Sequence, residues 1–159
     1  HTADAVGFIR RFYRGPLAAE NYNYYPTGLY NQVTEPAFIA DYLREFDLGL
    51  ALDLAHGAVT AANLGERPES YFAALPLART AELHLSRPFL PAPGSGLMAA
   101  DAHGAPGARE WNWLAFVIGN KEFPAAVPVF VEYYRDLDKL EEMQKRLAVF
   151  LTAPGAAGA

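Results

Sequence analysis

The chain has 159 residues, no cysteine and a net charge of −5 from 13 lysines and arginines against 18 acidic residues. That length fits one domain, and the charge lacks the basic excess typical of proteins that bind nucleic acid without sequence preference, so we expect no nucleic-acid partner. Disulfides, iron–sulfur clusters and cysteine nucleophiles are excluded, so any metal site must use His, Asp and Glu side chains.

The predicted elements alternate between helices and short apolar strands along the whole chain. In order, they are a helix over 4–14, a strand over 17–21, a tyrosine-rich loop over 22–31, a helix from Thr34 to about Glu45, a strand over 48–54, helices over 57–63 and 68–75, a strand over 80–86, a long Gly/Pro loop over 87–108, a helix over 111–118, a strand over 127–133 and a helix over 136–151. The tail over 152–159, rich in Ala and Gly, is expected to be flexible.

This alternation predicts an α/β fold with a parallel sheet and right-handed crossovers. The apolar run over 48–54 is typical of a parallel strand that is covered on both faces. The pattern looks like part of a (β/α)₈ barrel, and a complete barrel needs about 250 residues. The chain is therefore too short to close one, and we predict a partial barrel.

No membrane or secretion segment is recognisable in the sequence. No apolar run approaches the roughly 18 residues of a membrane-spanning helix, and the first residues do not form a charged segment ahead of an apolar core. We therefore predict a cytoplasmic protein that does not contact membranes. Because residue 1 is His and not Met, we also expect a fragment, a processed product or a trimmed form, with His1 a tag remnant or a solvated end.

Side chains that can bind metals lie where each predicted strand ends and in the long loop. They are Glu20, Asp53 with His56, Glu82 or His84, Asp101, His103 and Glu132. Singly, each is more often a helix cap, an ion-pair partner or a packed histidine than a ligand. The carboxyl ends of parallel strands share one rim, so the whole set is expected to converge there. Joint occurrence therefore favours a site for iron, manganese, zinc or magnesium, with one ion or several.

Two further features flank this set. The tyrosine-rich loop carries Tyr22, Tyr24, Tyr25 and Tyr30, which form either a packed rim of the sheet or one wall of a substrate pocket. Arg87 follows the third strand and is expected either to bind an anionic group or to form a structural salt bridge. The sequence contains neither a glycine-rich phosphate loop nor a nucleophile elbow around Ser86.

An ordered set of short motifs resembles a known family. The motifs are Ala18-Ala-Glu-Asn-Tyr-Asn-Tyr-Tyr, Thr34-Glu-Pro-Ala-Phe, Leu50-Ala-Leu-Asp-Leu-Ala-His, Leu75-Pro-Leu, Ala81-Glu-Leu-His-Leu-Ser, Asp101-Ala-His-Gly-Ala-Pro and Val129-Phe-Val-Glu-Tyr. Over about residues 4–150 they resemble the multinuclear non-heme iron-dependent oxidative enzymes, which include the methanobactin-biosynthesis iron enzyme. That family belongs to the xylose isomerase-like and apurinic-endonuclease-like TIM-barrel superfamily.

The resemblance implies a centre of two or three iron ions that uses dioxygen to modify cysteines of a peptide, which a partner protein usually presents. The positions that match metal ligands of the family are Glu20, Asp53, His84, Asp101, His103 and Glu132. Asp101 or Glu132 would alternatively act as a bridge or general base, and Asn21, Tyr24, Tyr25 and Arg87 are assigned to substrate binding. His56 is a departure, since Asp-x-x-His with both residues as ligands is typical of the endonuclease-like relatives.

By the same resemblance, residues 1–151 hold about strands four to seven of the barrel, and an incomplete centre is expected to be inactive alone. Two alternatives stay open. One is a sugar isomerase or endonuclease-like hydrolase of the same superfamily that uses zinc or manganese. The other is a non-catalytic half-barrel that binds a partner or itself through its exposed sheet edge.

Overall fold

A four-stranded parallel sheet forms the centre of the computed structural model, which describes residues 2–29 and 31–152. The elements are α1 (Thr2–Phe12), β1 (Ala18–Glu20), α2 (Pro36–Glu45), β2 (Gly49–Asp53), α3 (Leu54–Leu64), α4 (Pro68–Ala74), β3 (Thr80–Leu85), β4 (Arg87–Phe89), β5 (Ala100–Gly104), α5 (Ala108–Ile118), β6 (Val129–Val131) and α6 (Leu137–Thr152), with single 3₁₀ turns at Gln32–Thr34 and Leu77–Arg79. The predictions for His1, Tyr30 and the tail after Thr152 lie outside the described residues.

The order of the main sheet is β1-β2-β3-β6, and all three pairings are parallel. Helices flank this sheet, so the prediction of an α/β fold that forms part of a TIM barrel is confirmed. None of the described helices combines the length and the apolar character that crossing a membrane requires.

The two faces of the sheet differ in composition because side chains alternate along a strand. Leu50, Leu52, Leu83 and Leu85 are fully buried and join the leucines and aromatic residues of the surrounding helices in one apolar core. Between the two leucines of β3, His84 is only half-buried. The apolar face of the sheet therefore holds the fold together, and the opposite face carries the polar groups.

The register of the strands aligns their carboxyl ends. Asp53 pairs with His84, and His84 pairs with Phe130 on β6. The pairing of β2 and β3 is irregular between Leu50 and Ala51, whose partners are Thr80 and Glu82. The strand ends of β2, β3 and β6 therefore stand side by side at one rim.

The segment 87–108 departs from its prediction as one long loop. It contains β4 and β5, which pair in antiparallel fashion as a separate two-stranded sheet. Gly104 lies so close to β4 that an added Cβ would stand 3.0 Å from the Arg87 carbonyl oxygen. Helix α5 begins at Ala108, the last residue of this segment and three residues before the predicted start, because Glu110 accepts a hydrogen bond from the Gly107 N–H at 2.8 Å. At the other end of the chain, α6 extends to Thr152, one residue into the predicted tail.

Candidate metal centre

The polar side chains at the carboxyl ends of the strands form two overlapping clusters. One consists of Glu20, Asp53 and His56, the other of Asp53, His84 and Glu132, and in each the potential ligand atoms lie within 4.8 Å of one another. Asp53 belongs to both clusters. The structure therefore brings together residues from β1, β2, the start of α3, β3 and the segment after β6.

Asp53 is the last residue of β2 and also the N-cap of α3. Its Oδ1 accepts a hydrogen bond from the backbone N–H of His56 at 2.8 Å. The side chain is fully buried, and Oδ2 has no hydrogen-bond partner. Burial raises the pKa of Asp53 to about 6, because a carboxylate loses its hydration there. A buried carboxylate oxygen without a partner is a donor atom that a cation would satisfy.

Asn21 and His56 form a hydrogen-bonded frame around Asp53. The Asn21 side chain donates to the Asp53 carbonyl at 2.9 Å and accepts from the Asp53 N–H at 2.8 Å. Nδ1 of His56 lies 2.9 Å from the Asn21 carbonyl oxygen, so Nδ1–H donates, and in the neutral ring Nε2 carries the lone pair. Nε2 faces Asp53 Oδ2 at 3.9 Å and Asp101 Oδ2 at 3.7 Å. A ligating histidine usually has this arrangement, with its other N–H on a carbonyl.

His84 occupies the middle of the centre. Its Nδ1 lies 3.1 Å from Glu20 Oε1 and 3.2 Å from Glu132 Oε1. The hydrogen bond to Glu20 raises the pKa of His84 to about 9, against the opposing effect of burial, and the same bond lowers the pKa of Glu20. Burial lowers the pKa of His56, but the charge of Asp53 and the Asn21 carbonyl outweigh that effect and the net shift is upward.

Asp101 and His103 approach from β5, outside the main sheet. Nε2 of His103 lies 2.8 Å from Asp101 Oδ2, and its Nδ1 lies 3.5 Å from Glu132 Oε2. His103 has a φ of 41°, in the left-handed region that non-glycine residues rarely adopt. Arg135, from the segment after β6, donates to the Ala102 carbonyl at 2.9 Å and ties the two segments together.

The charge of the whole set fits a cation. Five carboxylates, those of Glu20, Asp53, Glu82, Asp101 and Glu132, contact the rings of His56, His84 and His103 within 4.0 Å. Imidazole nitrogens and carboxylate oxygens suit iron, manganese and zinc. The donor set and the unpartnered Oδ2 of Asp53 therefore both match a metal centre.

The residues assigned to substrate binding lie in different surroundings. Asn21 is only 1% exposed and lies behind Asp53, which favours a supporting role over contact with substrate. Tyr24 lines a cavity of about 460 Å³ together with Leu64 and Tyr71, and Tyr25 is half-buried. Arg87 lies on β4, which runs antiparallel to β5, the strand of Asp101 and His103.

Glu82, which the sequence offered as an alternative to His84 at the end of the third strand, lies 3.3 Å from Nε2 of His84, so the structure brings both residues to the centre. One contact was missed by sequence reasoning. The ring of Tyr134, 70% exposed, lies 5.8 Å from that of His103, and no spacing rule in the sequence indicated this contact.

Comparison with known proteins gives one consistent family. The family described as RiPP precursor modification enzyme MbnB/TglH/ChrH matches residues 1–151. The UPF0276 protein PA3283 of Pseudomonas aeruginosa is 31% identical over 152 residues, which cover 91% of this chain and 52% of that protein. The UPF0276 protein AM1_3026 of Acaryochloris marina is 28% identical over 141 residues, covering 89% of this chain and 49% of that protein. The chain thus spans about half the length of these relatives.

Proposed function

Because the chain belongs to the MbnB/TglH/ChrH family of RiPP precursor modification enzymes, we propose that it is part of an iron-dependent oxidative enzyme that modifies cysteine in a peptide with dioxygen. The observation that supports the metal site is the buried Oδ2 of Asp53, which has no hydrogen-bond partner, on a residue that belongs to both clusters. The family match supports a peptide substrate, and the earlier resemblance supports iron.

Seven side chains would hold two or three iron ions. They are Glu20, Asp53, His56, His84, Asp101, His103 and Glu132. Bound iron would supply dioxygen activation and an attachment point for a substrate thiolate. The protein contributes a fixed, partly buried set of oxygen and nitrogen donors that needs little reorganisation.

Glu132 and Asp101 are the best-placed general bases for the thiol proton of the substrate. Both contact His103, at 3.5 Å and 2.8 Å, and their side chains are 30% and 17% exposed. A base must reach the substrate as well as the centre, and Asp53 is fully buried. The proton would therefore move on the side of β5 and β6, where the centre is open.

Residues 1–151 would form the C-terminal part of a barrel, with further ligands on strands supplied by the rest of a longer protein. Phe8 and Phe12 on α1 are 59% and 78% exposed, and such apolar side chains favour a covering partner. The peptide substrate, and a protein that presents it, would complete the assembly. In the absence of these, self-association through the sheet edge is the expected alternative.

Metal analysis of the purified chain tests the proposal. We expect iron after anaerobic expression with added Fe(II), and dioxygen consumption with a cysteine-containing peptide once the remaining strands are present. Anomalous scattering at the iron edge should place the ions beside Asp53. A chain that purifies without iron, zinc or manganese, and that binds none on titration, would overturn the metal site.

A zinc- or manganese-dependent hydrolase or isomerase is the second candidate, and one observation favours it. Nε2 of His56 faces both Asp53 and Asp101, as expected if the whole Asp-x-x-His motif ligates in the manner of the endonuclease-like relatives. The ion found by anomalous scattering separates the candidates. Exclusive binding of zinc from a mixed-metal medium would favour the hydrolase.

A further inference from the structure

The two ring nitrogens of His84 face different surroundings. Glu20, Glu132 and Asp53 place carboxylate oxygens 3.1, 3.2 and 4.0 Å from Nδ1. On the opposite side of the ring, Glu82 Oε1 lies 3.3 Å from Nε2. The ring therefore turns one nitrogen toward the shared cluster and the other toward a separate carboxylate.

Glu82 stands apart from the clusters that could hold an ion. Within residues 2–29 and 31–152, neither group of three potential ligands includes it. It lies two residues before His84 on β3, so both side chains project from the same face of the strand. Its carboxylate is thus held beside the imidazole by the strand itself.

We propose that Glu82 is a positioning residue that accepts the Nε2–H of His84 and leaves Nδ1 as the atom that binds metal. The inference rests on the metal site of the proposed function and adds the role of Glu82 to it. A carboxylate on the second nitrogen of a ligating histidine fixes the tautomer and ring orientation and increases the basicity of the ligand.

The ring of His56 is also held by an acceptor on one nitrogen, but there the held nitrogen is Nδ1 and not Nε2. Its Nδ1–H donates to the Asn21 carbonyl at 2.9 Å, and Nε2 faces the carboxylates of Asp53 and Asp101. The centre thus presents Nε2 of His56 and Nδ1 of His84. The acceptor on the far side of each ring determines which nitrogen is presented.

The affinity of the full chain for Cd²⁺ and Fe(II) tests the role of Glu82. We expect Glu82→Ala to weaken metal binding about 10- to 100-fold, with the number of ions per chain unchanged. This is the usual loss when a residue that hydrogen-bonds to a metal ligand is removed. Glu82→Gln should lose less, because its amide oxygen still accepts the Nε2–H. Glu45→Ala, which removes an exposed carboxylate at the end of α2, is the charge-matched control and should bind as the wild type does.

Cadmium-113 NMR of the chain labelled with ¹⁵N-histidine identifies the ligating nitrogens without any substitution. We expect scalar coupling from cadmium to Nδ1 of His84 and to Nε2 of His56. Coupling to Nε2 of His84 would overturn the inference and leave the proposed function intact. So would loss of an ion in Glu82→Gln as complete as in Glu82→Ala, since Glu82 would then be a ligand. A wild-type chain that binds neither metal would overturn both proposals.

Discussion

The two sides of the candidate centre are built in different ways. Asp53 and His56 lie at the junction of β2 and α3, nearly buried, and the Asn21 side chain and backbone hold them. On the other side, the side chains of His103 and Glu132 are 31% and 30% exposed and contact each other at 3.5 Å. One side is therefore buried and fixed by hydrogen bonds, and the other is open to solvent.

The difference has a cause in the fold. β2 lies between β1 and β3, and α3 follows it directly, so Asp53 is fixed by the ladder and by the helix cap at once. β5 belongs to a two-stranded sheet outside this ladder, and His103 adopts a left-handed backbone conformation there. Side chains at the end of a central strand are therefore held more tightly than side chains on a peripheral hairpin.

The largest effect is expected from Asp53→Asn, which removes the carboxylate common to both clusters. Metal affinity should fall more than about 100-fold, which exceeds the usual loss when a residue that only hydrogen-bonds to a metal ligand is removed. The amide oxygen can still cap α3, and the substitution removes a buried negative charge. Without metal at pH 8, the free energy of unfolding should therefore equal that of the wild type or exceed it by up to about 2 kcal/mol. Metal analysis and urea unfolding check this. Asp41→Asn, at an exposed ion pair, is the control, and full metal content in Asp53→Asn would contradict the shared role.

Asn21→Ala tests the buried side. It leaves the buried N–H of Asp53 without a partner and removes the side-chain donor from its carbonyl, which should lower the free energy of unfolding by about 1–3 kcal/mol and the metal affinity about 10- to 100-fold. Asn63 is a matched control, because its amide also holds backbone groups, those of Tyr24 and Ala99. Asn63→Ala should lose stability but bind metal normally. Equal loss of metal affinity in both variants would mean that Asn21 acts only on stability.

The pH dependence of the metal-free chain tests His84. Its pKa is about 9 in the folded state and near 6.5 in the unfolded chain, so the charged ring stabilises the fold. That stabilisation is complete below about pH 6.5 and is lost as the pH rises through about 9, a decrease of about 2–3 kcal/mol. Urea unfolding with chelator should show the decrease in the wild type and a smaller one in His84→Gln. Parallel curves for the two proteins would contradict the assignment.

The smallest effect is expected from Arg135→Ala on the open side. Loss of its exposed hydrogen bond to the Ala102 carbonyl should change the free energy of unfolding by less than about 0.5 kcal/mol. Amide exchange over 100–104 should nevertheless become faster, because the tie to the segment after β6 is lost. Arg44→Ala, at an exposed surface pair, should leave that exchange unchanged. Unaltered exchange in Arg135→Ala would show that the hairpin is fixed by other contacts.

The convergence of Glu20, Asp53, His84 and Glu132 could be predicted from the sequence. Parallel strands of similar length end at one rim, so acids at the ends of successive strands must approach each other. The apolar runs and their intervening helices were sufficient to establish the α/β architecture, which the structure and the family match confirm. The role of these residues as ligands stays a prediction.

Other features could not be predicted because they depend on three-dimensional register. The direction of the Asn21 carbonyl, which determines the free nitrogen of His56, follows from the pairing of β1 with β2. The short strands β4 and β5 lie among glycine and proline residues, which mask their period-two pattern. The missing partner of Asp53 Oδ2 arises only when the whole rim is assembled.

The strand order has a consequence for how the chain folds. Each neighbouring pair in β1-β2-β3-β6 is joined through a helical crossover, so the residues of the rim meet only after several slow, non-local closures. Glu20 lies on the first strand of this order and Glu132 just after the last, and both approach Nδ1 of His84. A cation bound at this rim would therefore stabilise the assembled chain over every partly folded form by mass action.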